Sequence, residues 1–480
     1  MPRIRRALPL AAALACAAAA VAAAPAAAAP VLVLDGPGRV HVRQDRFLAP
    51  DALPPAIGAP VPLRARAAGP GVATVLRRLA GAGAIGPEER AERLASYQAA
   101  IDARRRLAGT RQRELGAVIA ITEALASRGE LTASRLPAVF LNLDRNREWW
   151  TEGRLLANGE RVTFKGSRLI FQYYAGQGIQ LQPLANFGRA NGLAEGGYLP
   201  NAASLLDELI PLASDRRGRL AWEYFFSFGG GRPPWTSAMS QGTAIQALAR
   251  VGTKLDDPAY LDVARRALAI FDLDAPAGVR VRTAAGAHYL LYSFAPGYRV
   301  LNGFLQSITG LYDLADLAGD TRARRLFDAG DREARLEVPS YDTGAWSMYD
   351  RVDESNLSYH QLVTGFLGNL CQRTRAAVYC RTARRFAADL VRPPRLAVLT
   401  ARVPAGAVAL VRFSVSKISS VRMTAERAGS TAVITSATVA RGRHAYAWRT
   451  PAGGGTVTVR LAATDLAGNR GTASRAVRVG

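Results

Sequence analysis

Cysteine and histidine are scarce in this chain of 480 residues, with three of the first and four of the second. His41, His288, His360 and His444 are scattered, and no Cys/His cluster has zinc-ligand spacing, so no metal site is read. Cys16 falls in the N-terminal leader, where Ala13-Leu14-Ala15-Cys16 makes a poor lipobox. Cys371 and Cys380 remain, and an even pair in an exported chain favours a disulfide over two separate thiols. Long apolar runs are missing after the leader, which excludes a stable membrane span there. Acidic residues are outnumbered: 38 Asp and Glu against 62 Lys and Arg leave a net charge of +24. That balance attracts polyanions. For an exported protein these are an acidic glycan, a wall polymer or membrane lipid, and not nucleic acid. The plain alternative is that Arg enrichment reflects genome composition and has no specific partner.

The leader occupies residues 1–29. Arg3, Arg5 and Arg6 form a positive n-region, an apolar run extends from Ala7 to about Val21, and small residues continue to Ala29. This reads as a signal peptide, so the protein is expected to be secreted or held at the cell surface. At roughly 100–200 residues per domain, the length predicts a multidomain chain. Residues 30–71 read as an extended lead-in with strand-like runs at 31–34 and 40–42. Residues 72–134 read as a helical region broken at Gly86-Pro87, and residues 135–195 as a short β region. That region holds strands at 162–164 and 169–171, then a Gly- and aromatic-rich loop from Tyr173 to Gln180. From 196 to 392 helical stripes recur, one of them ended by Gly252 as a C-cap. Long polar and aromatic connections separate them at 222–240, 274–300 and 338–356. Helix pairs with long loops on one side predict an α/α-toroid, complete or partial, whose loop end carries function. After Pro393-Pro394, short alternating strands with a turn at Asp465–Asn469 predict a β-sandwich of immunoglobulin or fibronectin type over 393–480. The fold class is thus multidomain and mainly α.

The long connections hold the informative residues. The first runs from Trp222-Glu223-Tyr224 through a triple glycine to Trp235-Thr-Ser-Ala-Met-Ser-Gln-Gly242. Aromatics in such loops are natural platforms for sugar rings, and the alternative is that Trp235 and Met239 are core. The second connection carries His288 to Phe304, and the third carries Tyr341-Asp-Thr-Gly344 and Tyr349-Asp350-Arg351, with Tyr359-His360 following.

Five ordered blocks in these segments resemble the C-terminal domain of D-glucuronyl C5-epimerases. They are Trp235–Gly242, Val300–Phe304 with Gly310–Leu314, Tyr341–Gly344, Tyr349-Asp350 and Tyr359-His360, and the resemblance covers about residues 170–390. It implies conversion of D-glucuronate to L-iduronate within a uronic-acid-containing polysaccharide. The C5 hydrogen is acidic because it lies α to a carboxylate. Two acid/base groups on opposite faces and one cation for the carboxylate complete the reaction, and no redox cofactor is implied. The resemblance assigns the acid/base work to Tyr292, Tyr349 and Tyr359 and the cation to Arg351, with Arg lowering the pKa of a phenol from near 10. It places Trp235, Gln241, Asn302, Tyr341, His360 and Glu223 about the substrate, and implies a homodimer. One departure stands out. The family has a glutamate immediately before the tyrosine matched by Tyr292, and this chain has Leu291 there, with Leu290 before it. Glu223, Asp350 or a tyrosine acting alone are the remaining bases. Three functions follow: an epimerase, a polysaccharide lyase sharing C5 proton abstraction, or a non-catalytic binder of acidic glycans.

Overall fold

The computed structural model describes residues 28–49 and 69–480. All but the last two residues of the expected leader lie outside the described residues. The described chain begins with a hairpin of β1 (Ala29–Gly36) and β2 (Arg39–Asp45). Four helices follow: α1 (Val72–Gly81), α2 (Pro87–Arg106), α3 (Gly109–Ser127) and α4 (Leu136–Glu152). The start of α2 has Pro87 at its first position and Glu88 and Glu89 in the first turn, while Arg104, Arg105 and Arg106 close the last turn. Each of these choices complements the helix ends. Then come β3 (Arg161–Phe164), β4 (Phe171–Tyr174) and β5 (Gly178–Leu181).

The five strands form one sheet in the order β2-β1-β3-β4-β5, with β1 and β3 parallel. Residues 29–45 are therefore not a lead-in but two strands of a sheet completed more than a hundred residues later. A parallel pair needs a long crossover, which α1–α4 supply. The region expected as short β also begins with a helix, because Leu136, Val139, Phe140 and Leu143 recur at helical spacing and are buried. The expected loop at Tyr173–Gln180 is largely a tight hairpin between β4 and β5. From α4, Asn142 and Asn146 accept the Leu181 and Ile179 amides at 2.8 Å, covering the otherwise open edge of β5.

Eight further helices form four hairpins: α5 (Pro183–Glu195) with α6 (Leu199–Leu209), α7 (Ala238–Leu255) with α8 (Pro258–Ala267), α9 (Leu301–Leu317) with α10 (Thr321–Glu337), and α11 (Leu357–Thr374) with α12 (Ala377–Asp389). Helices α5, α7, α9 and α11 stand side by side as an inner row, and their partners lie outside. Burial follows this layering, since α7 and α9 are buried nearly all round and α8 and α10 on one side only. The α7–α9 approach depends on Gly242 and Gly310, where an added Cβ would strike the facing backbone. Helix α7 runs past Gly252 and ends on Asp256, which adopts φ 53°. Gly252 is instead a packing position whose added Cβ would lie 3.0 Å from Leu261. Cys371 in α11 and Cys380 in α12 are bonded.

Residues 393–480 form a β unit of two sheets, one of three strands (396–398, 408–415, 442–449) and one of five (402–403, 419–427, 430–439, 455–465, 470–479). Val411 and Phe413 from the first and Val459 and Leu461 from the second share one core. Among the described residues no helix is long and apolar enough to cross a membrane.

Candidate functional site

The hairpin array puts its three long connections at one end. Residues 210–237, 273–300 and 338–356 each run from an outer helix to the start of the next inner one, and the returns at the other end are short. The loops are tied to one another by backbone hydrogen bonds. Ser293 N–H donates to Thr236 C=O at 3.0 Å, Ala238 N–H to Leu290 C=O at 2.9 Å, and Leu301 N–H to Tyr349 C=O at 3.2 Å. Asn356 caps α11 by accepting the Tyr359 amide at 2.9 Å, which fixes Tyr359 on the first turn.

These ties bring Tyr292, Tyr349 and Tyr359 together. The Tyr349 and Tyr359 rings are 4.7 Å apart, and the Tyr292 and Tyr349 hydroxyls lie within electrostatic reach of each other. Both of these hydroxyls are buried with no protein hydrogen-bond partner, as are Asn302 Oδ1 and Gln241 Oε1 on the same loop-and-helix junctions. Native interiors rarely leave such atoms unpaired, so their gathering marks a place built for something other than packing. Burial raises the Tyr292 and Tyr349 pKa values well above the ordinary phenol range; the neighbouring tyrosines raise Tyr292 further, while Tyr349 is raised by Tyr359 and Tyr298 and lowered by its contact with Tyr292. Tyr298 joins the group at 6.2 Å from Tyr292, and burial followed by the facing Asp350 carboxylate raises its pKa as well. The expectation that arginine lowers a phenol here is not met. Arg351 is 56% exposed, pairs with Glu337 Oε1 at 3.6 Å and lies beside the Tyr341 phenol, not among the influences on Tyr292 or Tyr349.

Several expected substrate contacts are structural. Trp235 stacks face to face on Tyr224 at 4.2 Å and donates its indole N–H to Phe226 C=O, so it is core and not a platform. The half-exposed aromatics over Tyr292 are Phe228, Phe294 and Tyr298. Their loops stood out in the sequence, but their exposure did not. Gln241 Nε2 donates to Trp222 C=O at 3.2 Å and to Thr236 Oγ1 at 3.1 Å, leaving only its orphaned oxygen free. Tyr341 is buried and donates to Arg299 C=O. His360 stacks on Trp346 at 3.7 Å, accepts from Ser347 N–H and Oγ, and donates Nε2–H to Phe386 C=O, which satisfies both ring nitrogens inside the core. Glu223 is held by Arg135 at 2.7 Å and Arg216 at 2.5 Å, with its side chain fully buried. A cleft of about 510 Å³ passes these arginines, and a second of about 420 Å³ is lined by Arg280, Arg282, Arg322 and Arg325. Neither is lined by the tyrosines.

Leu291, in place of the expected glutamate, is buried with its Cβ against Gly303. Beside it stands a polar group that sequence reasoning missed. His288 Nδ1 meets Glu337 Oε2 at 3.0 Å, Arg299 pairs with Glu337 and Glu333, and His288 Nε2 has no partner. Burial works against the Glu337 charge, yet its bond to His288 and the nearby arginine hold its pKa at about 2. Residues 298 and 299 send one side chain to the tyrosines and the next to this group, an alternation the sequence contains without revealing the second partner.

Both buried histidines carry a pH consequence. Burial lowers the His360 pKa from 6.5 to about 4 and lowers that of His288 too. The folded state keeps them neutral while the unfolded chain protonates below about 6.5. The His360 contribution is therefore full above pH 6.5 and falls as pH drops towards 4, and that of His288 changes in the same direction. Denaturant titrations at pH 7 and pH 5 should show His360 alone costing roughly 2 kcal/mol at the lower pH, with His288 adding to the loss. Equal stability at both pH values would contradict their neutral, buried state.

Comparison with known proteins identifies the loop-bearing segment. The D-glucuronyl C5-epimerase C-terminus matches residues 216–388. That match takes in somewhat over a third of the chain. The D-glucuronyl C5-epimerase of Caenorhabditis elegans is 38% identical over 131 residues, covering 25% of this chain and 21% of that protein. An uncharacterized protein of Methanocaldococcus jannaschii is 27% identical over 139 residues, covering 27% of this chain and 45% of that protein. The chain thus spans about a fifth and somewhat under half of these two relatives. An endo-beta-1,4-glucanase of Acetobacter xylinum aligns at a TM-score of 0.32 and 14% identity, over 44% of this chain and 68% of that one. A likeness at that level carries no argument about the fold. The epimerase-type segment contains all three tyrosines and Arg351, and the C-terminal β unit lies outside it.

Proposed function

We propose that this chain is an exported C5-epimerase-type isomerase acting on D-glucuronate within an acidic polysaccharide, with the hairpin array as a partial α/α toroid and its tyrosine end as the active site. The observation that carries the reading is the pair of buried phenols, Tyr292 and Tyr349, whose hydroxyls approach each other and have no other protein partner, inside the epimerase-type segment. Inversion at C5 needs one group to take a proton from one face and another to return one from the opposite face. In this account one tyrosine, as phenolate, takes the C5 proton. The electron pair moves into the sugar carboxylate, and the opposing neutral phenol delivers its proton to the other face of C5. The raised pKa values keep the resting phenols neutral, which suits the donor. The acceptor must first give up its own proton against that raised pKa, and the Asp350 carboxylate, which faces Tyr298 at the edge of the cluster, is the group offered to receive it. Glu223 does not serve, because two arginines hold it. Phe228, Phe294 and Tyr298 offer the outer surface on which a pyranose ring would lie, and Arg351 is exposed enough to meet its carboxylate. The net charge of +24 favours an anionic polymer, and the arginine-rich leader at residues 3–6 supports export.

A second reading has its own support. Leu291 removes the carboxylate expected beside Tyr292, and Arg351 pairs with Glu337 while no arginine is among the influences on Tyr292 and Tyr349, which together favour an acidic-glycan binder without turnover. Incubation of the purified protein with glucuronate polymers, followed by NMR of the sugar configuration, separates the readings. L-iduronate signals support the epimerase. Unsaturated chain ends would make it a lyase, and binding with no change in configuration or ends would make it a binder.

A further inference from the structure

The C-terminal β unit looks like an appendage in the sequence, but its inner edge reaches into the third site loop. Lys417, at the turn before the strand 419–427, is only 2% exposed. Its ammonium pairs with Asp465 at 2.6 Å and donates to the Asp389 and Arg392 carbonyls at 2.8 and 2.6 Å, at and just beyond the end of α12. It also lies 5.1 Å from the centroid of the Trp346 ring. A second contact joins Arg441 to Glu354, with the Arg441 amide 3.3 Å from Glu354 Oε2 and its guanidinium 3.5 Å from Oε1. A third joins Asn469 Nδ2 to Leu390 C=O at 2.9 Å.

Trp346 and Glu354 flank the segment that presents Tyr349. Trp346 donates its indole N–H to Ser355 C=O at 2.7 Å and stacks on His360, whose ring nitrogen holds Ser347. The segment closes on itself through Tyr349 N–H to Asp353 C=O at 2.8 Å and Ser355 N–H to Ser347 C=O at 2.9 Å. The β unit thus grips both ends of a loop whose middle carries Tyr349, Asp350 and Arg351. A buried ammonium is costly to desolvate, and this one is balanced by one carboxylate, two carbonyls and an aromatic face. Such a site ties the two units together instead of merely joining them by a linker.

We propose that the C-terminal β unit is a structural part of the tyrosine site, and that Lys417 and Arg441 are positioning residues that hold the loop 342–356 in place. The role in catalysis rests on the epimerase reading; the role in ordering the loop does not. The test uses the full chain with Lys417→Met, Lys417→Arg and Arg441→Ala, read by amide hydrogen exchange across 343–356 and by C5 exchange on a glucuronate polymer. Lys417→Met should raise amide exchange in the loop by about tenfold or more while α7 and α9 keep their protection. On the same variant kcat should fall by about tenfold to a hundredfold with a smaller change in KM, because a displaced group loses alignment more than binding. Lys417→Arg should restore part of both. The exposed Arg441→Ala should give the same changes in weaker form if Lys417→Met does not fold. Unchanged loop protection in both Lys417→Met and Arg441→Ala would overturn the proposal. Faster loop exchange in a protein that shows no C5 exchange on any polymer would uphold the brace and remove the epimerase reading.

Discussion

Tyr349→Phe should abolish C5 proton exchange while leaving the protein as stable as before or slightly more so. The hydroxyl is buried and has no protein acceptor. Removing it keeps the ring against Tyr359 and gives up only the close approach of its hydroxyl to that of Tyr292. A buried hydroxyl without a partner costs roughly 1–3 kcal/mol on protein scales, and part of that is returned when it is deleted. Its loss from the reaction is a different matter, because positioned acid/base groups contribute about 10²–10⁴-fold. Activity should therefore fall by that range, with an unchanged or raised denaturant midpoint. A large loss of stability with the activity per folded molecule intact would mean that the hydroxyl serves packing. Tyr292→Phe should behave the same way, since its hydroxyl is equally orphaned.

The second large effect is the reverse case. Glu223→Gln should cost about 3–5 kcal/mol of stability and leave C5 chemistry in the surviving folded protein close to normal. The Glu223 carboxylate neutralises two guanidiniums whose side chains are only 8% and 11% exposed. Arg135 also meets Glu130 at 2.6 Å, but Arg216 has only backbone carbonyls besides Glu223. A neutral amide leaves Arg216 buried without a counter-charge, and the loop through Pro234 that leads to Trp235 loses its anchor. Equilibrium unfolding measures the first half and exchange per folded molecule the second. Full stability with lost exchange would bring Glu223 into the proton transfer after all and displace the route through Tyr298 to Asp350.

Much of the array was legible because helices announce themselves locally. The stripes at 205–210, 260–271 and 304–314 each place their apolar residues on one face, and each is a helix of the structure. The same holds for the alternating strands of the C-terminal unit, whose inward residues fill one core. Pairings between distant segments were not legible. The hairpin at 29–45 is completed by β3 across four helices, and no local pattern encodes that partner. Burial decided the roles of Trp235 and His360. Both types serve equally as ligand contacts or core, and only the stacking on Tyr224 and Trp346 chooses between them. The motif glycines carried a mixed message, since Gly242 and Gly310 let two helices meet and touch no substrate position. The tyrosines were found through family resemblance. The buried hydroxyls of Tyr292 and Tyr349, their raised pKa values and the pairing of Arg351 with Glu337 emerged only in three dimensions.

The most direct test of C5 proton transfer is incubation of the full-length protein with a glucuronate polymer in heavy water, read by NMR at C5. Deuterium entering C5 together with L-iduronate, at a rate that Tyr349→Phe reduces by about 10²-fold or more, is the expected result. A polymer that binds and yet returns with every C5 hydrogen in place would contradict it.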